Sequence, residues 1–333
     1  MIRVLIADDS SFMRVTIKTL LESDKDIKVA GIARTGKEAI DKTHTLKPDV
    51  ITMDINMPDM SGIDAVKHIM KKHPVPVIMI SSLTTEGAEE TIEALKNGAV
   101  DYINKSQLTG ESLISKVRMA AKASISQSAC KSTGCVLAAP IKQTFAVIGI
   151  GISTGGPRAL SKLIPEISPA VSASIVIAQH MPPVFTKSLA ERLDAESMIK
   201  VKEAKDGDLL QPGCAYILPG GMHGKVQKGG FLSLYSKEAL PQYHYTPSVD
   251  VLMSSIAQVY RDKALCIIMT GMGSDGLEGI MEARKSGSYV IAQSESTCTI
   301  FGMPKAVIEN NLHNEIVHLD DIGLRINKLC IAD

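Results

Sequence analysis

The chain has 333 residues, of which 45% are hydrophobic, and its 36 lysines and arginines balance 36 aspartates and glutamates. That length exceeds one typical core and predicts two domains, while neutral charge without a basic block excludes nucleic-acid binding by bulk electrostatics. The apolar run in MIRVLIADDSS is too short for a signal peptide and no stretch approaches the roughly 18 apolar residues of a membrane span; the six scattered cysteines, with only Cys130 and Cys135 close together, read as reduced thiols in a cytoplasm.

Short apolar runs predict strands at 4–7, 27–30, 50–53, 77–80 and 102–103. Amphipathic segments predict helices at 11–22, 36–47, 62–72, 86–98 and 110–126. Strands alternating with helices imply an α/β domain with a doubly wound parallel sheet. It occupies 1–127. Residues 128–144 are rich in small and polar side chains without a clear period, as in a linker. From 145 to 333 the alternation resumes in a second α/β domain, with strands at 145–151, 174–178 and 264–269. The stretch GGMHGKVQKGGFLSLY predicts an inserted hairpin.

Functional groups of open parallel sheets gather at the carboxyl ends of strands. In the first domain those ends carry Asp8 and Asp9, then Asp54, then Ser81 and Ser82, with Lys105 after the fifth strand. Singly, the aspartates read as a helix cap or a turn. As a set they form an acidic cluster whose mutual repulsion a divalent cation would relieve, and Mg2+ suits an all-oxygen set. A carboxylate left over would accept a phosphoryl group, with Lys105 balancing the incoming charge and Ser81 bonding a phosphoryl oxygen.

The stretches VLIADDSSFMR, PDVITMDINMPDMSGIDAV, PVIMISSLT and GAVDYINKS resemble the receiver domain of bacterial response regulators. The resemblance implies a flavodoxin-like fold, phosphorylation on Asp54, Mg2+ at Asp8, Asp9 and Asp54, and switch roles for Ser81, Tyr102 and Lys105. One departure is Ser106, where the family usually has proline and a cis turn.

The second domain turns on FAVIGIGISTGGPRAL, which admits three readings of Ser153. The glycines could cradle a phosphate at a helix N-terminus, although G149-x-G151-x-x-x-G155 is not the dinucleotide spacing. GISTG formally matches the nucleophile elbow of α/β-hydrolases, with Asp275 and His313 or His318 completing the order. The third reading joins Ser153, His180 and Asp275, each just past a predicted strand, into a nucleophile, a general base and its orienting acid. Amides at the start of the Pro157 helix or around Met272 would then face the developing oxyanion. Each residue alone has a plainer reading: a helix cap, a buried histidine, a turn. The coincidence at three strand ends favours the triad.

GISTGGPRAL, IVIAQHMPP, YILPGGMH, TPSVDVLM, MTGMGSDG and TCTIFGMPKAV resemble the catalytic domain of the chemotaxis protein-glutamate methylesterases, the CheB family. This implies a Rossmann-like three-layer domain with Ser153, His180 and Asp275 as its triad, Thr154 beside the nucleophile and the Met272 backbone near the oxyanion. Thr246 departs from the family's usual arginine. The implied activity is hydrolysis of glutamate γ-methyl esters, with glutamine deamidation by the same acyl route and no cofactor for ester hydrolysis. The implied partners are a chemotaxis histidine kinase and the helical cytoplasmic region of methyl-accepting receptors. The expected protein is a cytoplasmic monomer in which phosphorylation shifts a closed–open equilibrium. The competing class is a receiver-controlled binding module without catalysis.

Overall fold

The computed structural model describes residues 1–82, 84–125 and 145–331. The chain falls into two units, Met1–Ser128 and Ala129–Asp333. The expected linker, with Cys130 and Cys135, lies outside the described residues.

In the first unit β1 (Ile2–Ala7), α1 (Ser11–Glu22), β2 (Ile27–Ala33), α2 (Gly36–Leu46), β3 (Val50–Asp54), α3 (Gly62–Lys72), β4 (Val77–Ser81), α4 (Thr85–Lys96), β5 (Asp101–Asn104) and α5 (Gly110–Ala120) alternate strictly. All sheet pairs are parallel, in the order β2-β1-β3-β4-β5. This is the flavodoxin-like order, whose crevice opens between β1 and β3. Strands β3 and β4 are buried at every position, which is why they read as continuous apolar runs. Every helix begins on a hydroxyl that accepts a backbone amide, from Ser10, Thr35, Ser61, Thr84 and Thr109. Ser10 caps α1, so Asp8 and Asp9 are not its caps. Helix α5 ends at Ala120, short of the predicted 126. Bonds from Lys122 and Ala123 to the carbonyls three residues back tighten its last turn, and Ser124 just beyond favours non-helical backbone.

The second unit runs β6 (Val147–Ile152), α6 (Gly156–Leu163), β7 (Ser174–Gln179), α7 (Phe185–Glu196), β8 (Lys200–Glu203), β9 (Cys214–Ile217), β10 (Met222–Gln227), β11 (Phe231–Ser236), α8 (Val249–Tyr260), β12 (Ala264–Ile268), α9 (Leu277–Lys285), β13 (Tyr289–Gln293), α10 (Met303–Glu309), β14 (Glu315–Val317) and α11 (Leu319–Cys330). Seven parallel strands lie in the order β14-β13-β12-β6-β7-β9-β8. Helix α8 packs with α9 and β10, and α9 with α10, while α6 packs with α7 and α11, giving the helical layers of a Rossmann-like sandwich. The antiparallel hairpin β10–β11 stands apart from the sheet, turned by Gly229 and Gly230 at positive φ.

Strand order reverses at β6, which pairs with β7 on one side and β12 on the other. Loops leaving these three strands therefore share one rim. The β6 glycines have a packing role. A Cβ on Gly151 would lie 2.2 Å from Val249 Cγ1, and one on Gly149 2.8 Å from Ile256 Cδ1. They admit α8 against the sheet, which answers the phosphate-cradle reading of this motif. Among the described residues no helix is long and apolar enough to cross a membrane.

Candidate active site and acidic crevice

At the rim of the second sheet Ser153 follows β6 and His180 follows β7. Ser153 Oγ lies 3.1 Å from His180 Nδ1, and His180 Nε2 lies 2.7 Å from Asp275 Oδ2. An ionised carboxylate accepts, so Nε2 carries the imidazole proton and Nδ1 is left to accept from the serine hydroxyl. His313 and His318, the elbow-type alternatives, bond neither group; the structure puts His180 between alcohol and acid.

Asp275 is 9% exposed, yet both its oxygens are occupied. Oδ2 also accepts from the Val249 amide at 2.8 Å, and Oδ1 accepts from Ser248 Oγ at 3.0 Å and the Asp250 amide at 3.1 Å. Those donors form the first turn of α8, whose N-cap is Ser248, so the acid sits at the positive end of a helix. Burial by itself would raise this carboxyl; the bonds from His180, Val249 and Asp250 outweigh it and hold the group below the usual range. The neighbouring Asp250 shifts the opposite way, through burial first and the Asp275 charge besides, while its Oδ1 accepts from the Gly279 amide.

Ser153 is not a helix cap, since the N-cap of α6 is Gly155, with φ +79° and no side-chain capping bond. A Cβ at Gly155 would lie 2.4 Å from Thr299 Oγ1, so the turn beyond the serine demands glycine. The Ser153 amide donates to Thr270 O, and its carbonyl accepts from the Gly156 amide and from Gln179 Nε2 at 3.0 Å. Gln179 Nε2 reaches the His180 carbonyl too, tying nucleophile and base segments together. The Thr154 carbonyl accepts from Thr270 Oγ1. The Gly156 amide is spent on that carbonyl, and the other turn expected to face an oxyanion lies close by. Gly271 lies against the serine: a Cβ there would come 2.7 Å from Ser153 Cβ. The next amide, Met272, donates to no acceptor among the described residues, and the residue is 47% exposed.

Sequence reasoning overlooks Ser248, Gln179 and Tyr245 here. Ser248 had a usable signal, a serine cap with an acid at the second helical position before an apolar run. Gln179 and Tyr245 had none, because their contacts depend on loops meeting in space.

In the first unit one oxygen each from Asp8, Asp9 and Asp54 lies within 4.8 Å of the others. Lys105 Nζ stands 2.8 Å from the Asp54 carboxylate. Burial, then the Asp54 charge, pushes Asp8 up to about 6, and burial raises Asp54 against the opposing pull of Lys105. Asp8 Oδ1 accepts from the Ser10 amide, but Oδ2 is buried without a hydrogen-bond partner. A crowded acidic trio with an orphaned anionic oxygen fits a hard, oxygen-seeking cation. Ser81 stands at the end of β4, with its hydroxyl donating to Gly87 O at 3.1 Å and accepting from Thr91 at 2.6 Å, so it does not bond Asp54. Tyr102 is buried in β5 with Lys116 Nζ 5.8 Å from its ring centroid. Ser106 follows Lys105 without a cis bond; among the described residues the only cis peptide is Thr246–Pro247.

Comparison with known proteins assigns each unit to a family. Residues 148–326 match the CheB methylesterase family and residues 4–118 the response regulator receiver domain. A protein-glutamate methylesterase/protein-glutamine glutaminase of Halalkalibacterium halodurans is 42% identical over 99% of this chain and 98% of its own length. One from Thermotoga maritima is 45% identical over 92% of both chains. The crystal structure of the Thermotoga maritima CheB methylesterase catalytic domain aligns with a TM-score of 0.53 at 39% identity, covering 56% of this chain and 99% of that one. A seven-stranded sheet with serine, histidine and aspartate on one rim, preceded by a receiver sheet with its acidic crevice, thus belongs to the CheB methylesterase family.

Proposed function

We propose that this chain is a phosphorylation-regulated serine esterase that hydrolyses glutamate γ-methyl esters on methyl-accepting chemotaxis receptors, and deamidates glutamine side chains there more slowly. The continuous Ser153–His180–Asp275 hydrogen-bond relay carries the reading. Ser153 Oγ attacks the ester carbonyl while His180 Nδ1 takes its proton. The carbonyl electrons move onto oxygen, where the Met272 amide donates. Asp275 remains ionised and stabilises the imidazolium. Collapse of the tetrahedral adduct breaks the C–O bond to methanol, which leaves with the proton from His180. Water then gives a proton to His180, attacks the acyl-serine and releases glutamate, and the proton returns to Ser153. Ammonia is a poorer leaving group than methanol, which slows the glutamine reaction.

In the receiver, Asp54 takes a phosphoryl group from the histidine kinase of a chemotaxis pathway, forming an acyl phosphate as the donor P–N bond breaks. Asp8, Asp9 and Asp54 would hold Mg2+, which offsets their charge and that of the incoming phosphoryl oxygens. Lys105 keeps its ammonium on Asp54. These reactions place the protein in the cytoplasm, beside the receptor's helical region.

Replacing Ser153 by alanine is expected to abolish ester hydrolysis on methylated receptor, by at least about 10⁴-fold in kcat. Turnover surviving that change would overturn the reading. A binding module without catalysis is separated by a serine-directed probe, which would label Ser153 in the enzyme and not in the binder.

A further inference from the structure

Tyr245 belongs to none of the motifs that define the triad, and it is 43% exposed, an uncommon setting for a large ring in a structured loop. Its other side is covered by His180: the two rings are parallel to within 5° with centroids 4.4 Å apart. The tyrosine oxygen extends over the turn after Met272, lying 3.5 Å from where a Cβ on Gly273 would stand. The ring therefore spans the imidazole and the turn carrying the candidate oxyanion amide.

The segment that delivers it is equally placed. Three residues after Tyr245, Ser248 begins the run Ser248, Val249 and Asp250 that donates three hydrogen bonds to Asp275. One short stretch thus fixes the acid behind the imidazole and covers the imidazole's face. The relay needs both ring nitrogens aimed at once, at Ser153 and at Asp275. In-plane bonds restrain the ring along its edges but leave motion out of its plane weakly opposed. A parallel aromatic face opposes that motion, keeps water from one side of the base, and presents electron density to the imidazolium when it forms.

Resting on the esterase reading above, we infer that Tyr245 is a positioning residue for His180, holding the imidazole plane through ring stacking, so that its loss lowers the rate of serine attack without weakening receptor binding.

The test uses the full-length chain and compares Tyr245→Ala, Tyr245→Leu and Tyr245→Phe with wild type. Thermal unfolding confirms folding, which an exposed position tolerates. Two rates are measured: ester hydrolysis on methylated receptor, resolved into kcat and KM, and inactivation by a small fluorophosphonate that reports Ser153 nucleophilicity without receptor binding. The expected result is a fall of about 3- to 10-fold in kcat and in the inactivation rate for alanine and leucine, with KM unchanged, and recovery to within about twofold by phenylalanine. The inference is overturned if alanine raises KM alone, which makes Tyr245 a receptor contact. It is overturned too if leucine matches phenylalanine, which leaves only bulk, or if neither rate moves. A wild-type chain that the fluorophosphonate does not label at Ser153 overturns the esterase reading itself, a distinct outcome.

Discussion

At the scale of single residues, the two sites set carboxylates in opposite electrostatic situations. Asp275 accepts from four donors that stabilise its charge, three of them supplied by one helix terminus. Asp8 accepts from the Ser10 amide, has two acidic neighbours, and is pushed up to about 6. The consequence for stability has a definite sign. Below the ordinary value of 3.8 both folded and unfolded chains hold the Asp8 proton. Between 3.8 and about 6 the unfolded chain releases it first, so stability falls as pH rises; above that the penalty is constant. Asp8→Asn is expected to remove this fall and, in chelator at pH 7.5, to stabilise the chain by about 1–3 kcal/mol. Denaturant titrations of both proteins at pH 4.5 and 7.5 check it; identical pH dependence in the two would refute the argument.

At the scale of elements, helix α8 links packing to chemistry. It lies on β6 only because Gly149 and Gly151 lack side chains, and its first turn carries the donors for Asp275. Gly151→Ala would place a methyl 2.2 Å from Val249 Cγ1, within the residue whose amide bonds the acid. The helix must shift outward, with an expected cost of about 1–3 kcal/mol by denaturant unfolding and a matching fall in kcat. Full activity in a destabilised Gly151→Ala protein would show that the acid tolerates movement of α8. Element by element, the central strands were legible because burial on both faces makes them apolar throughout. The hairpin was legible from its glycine pairs. Strand β8 was not: KVKE exposes or half-exposes three of four side chains at a sheet edge, so only Val201 marks it. The glycines of β6 were visible but ambiguous, since an anion cradle and a helix seat both ask for a missing side chain.

At the scale of the whole molecule, two parallel sheets place their candidate site residues at analogous switch points, β1 with β3 in one and β6 with its neighbours in the other. The residues at those rims were readable as strand ends. Their distances, the N-cap origin of the acid's donors and the ring over His180 were not, because loops closed by tertiary packing leave no periodic trace. Removing residues 1–144 is expected to give an esterase whose rate no longer responds to a small phosphodonor, whereas the full chain accelerates and its Asp54→Asn variant does not. Receptor demethylation with and without phosphodonor measures this; an unresponsive full chain would separate the receiver from control of the enzyme.

Strand β6 pairs with β12, and more than a hundred positions of chain intervene between Ser153 and Asp275. A polypeptide interrupted anywhere between His180 and Asp275 holds an alcohol and an imidazole but no acid to orient them. Hydrolytic competence thus arrives late in synthesis, and a truncated or half-assembled product cannot carry a primed nucleophile among bystander proteins.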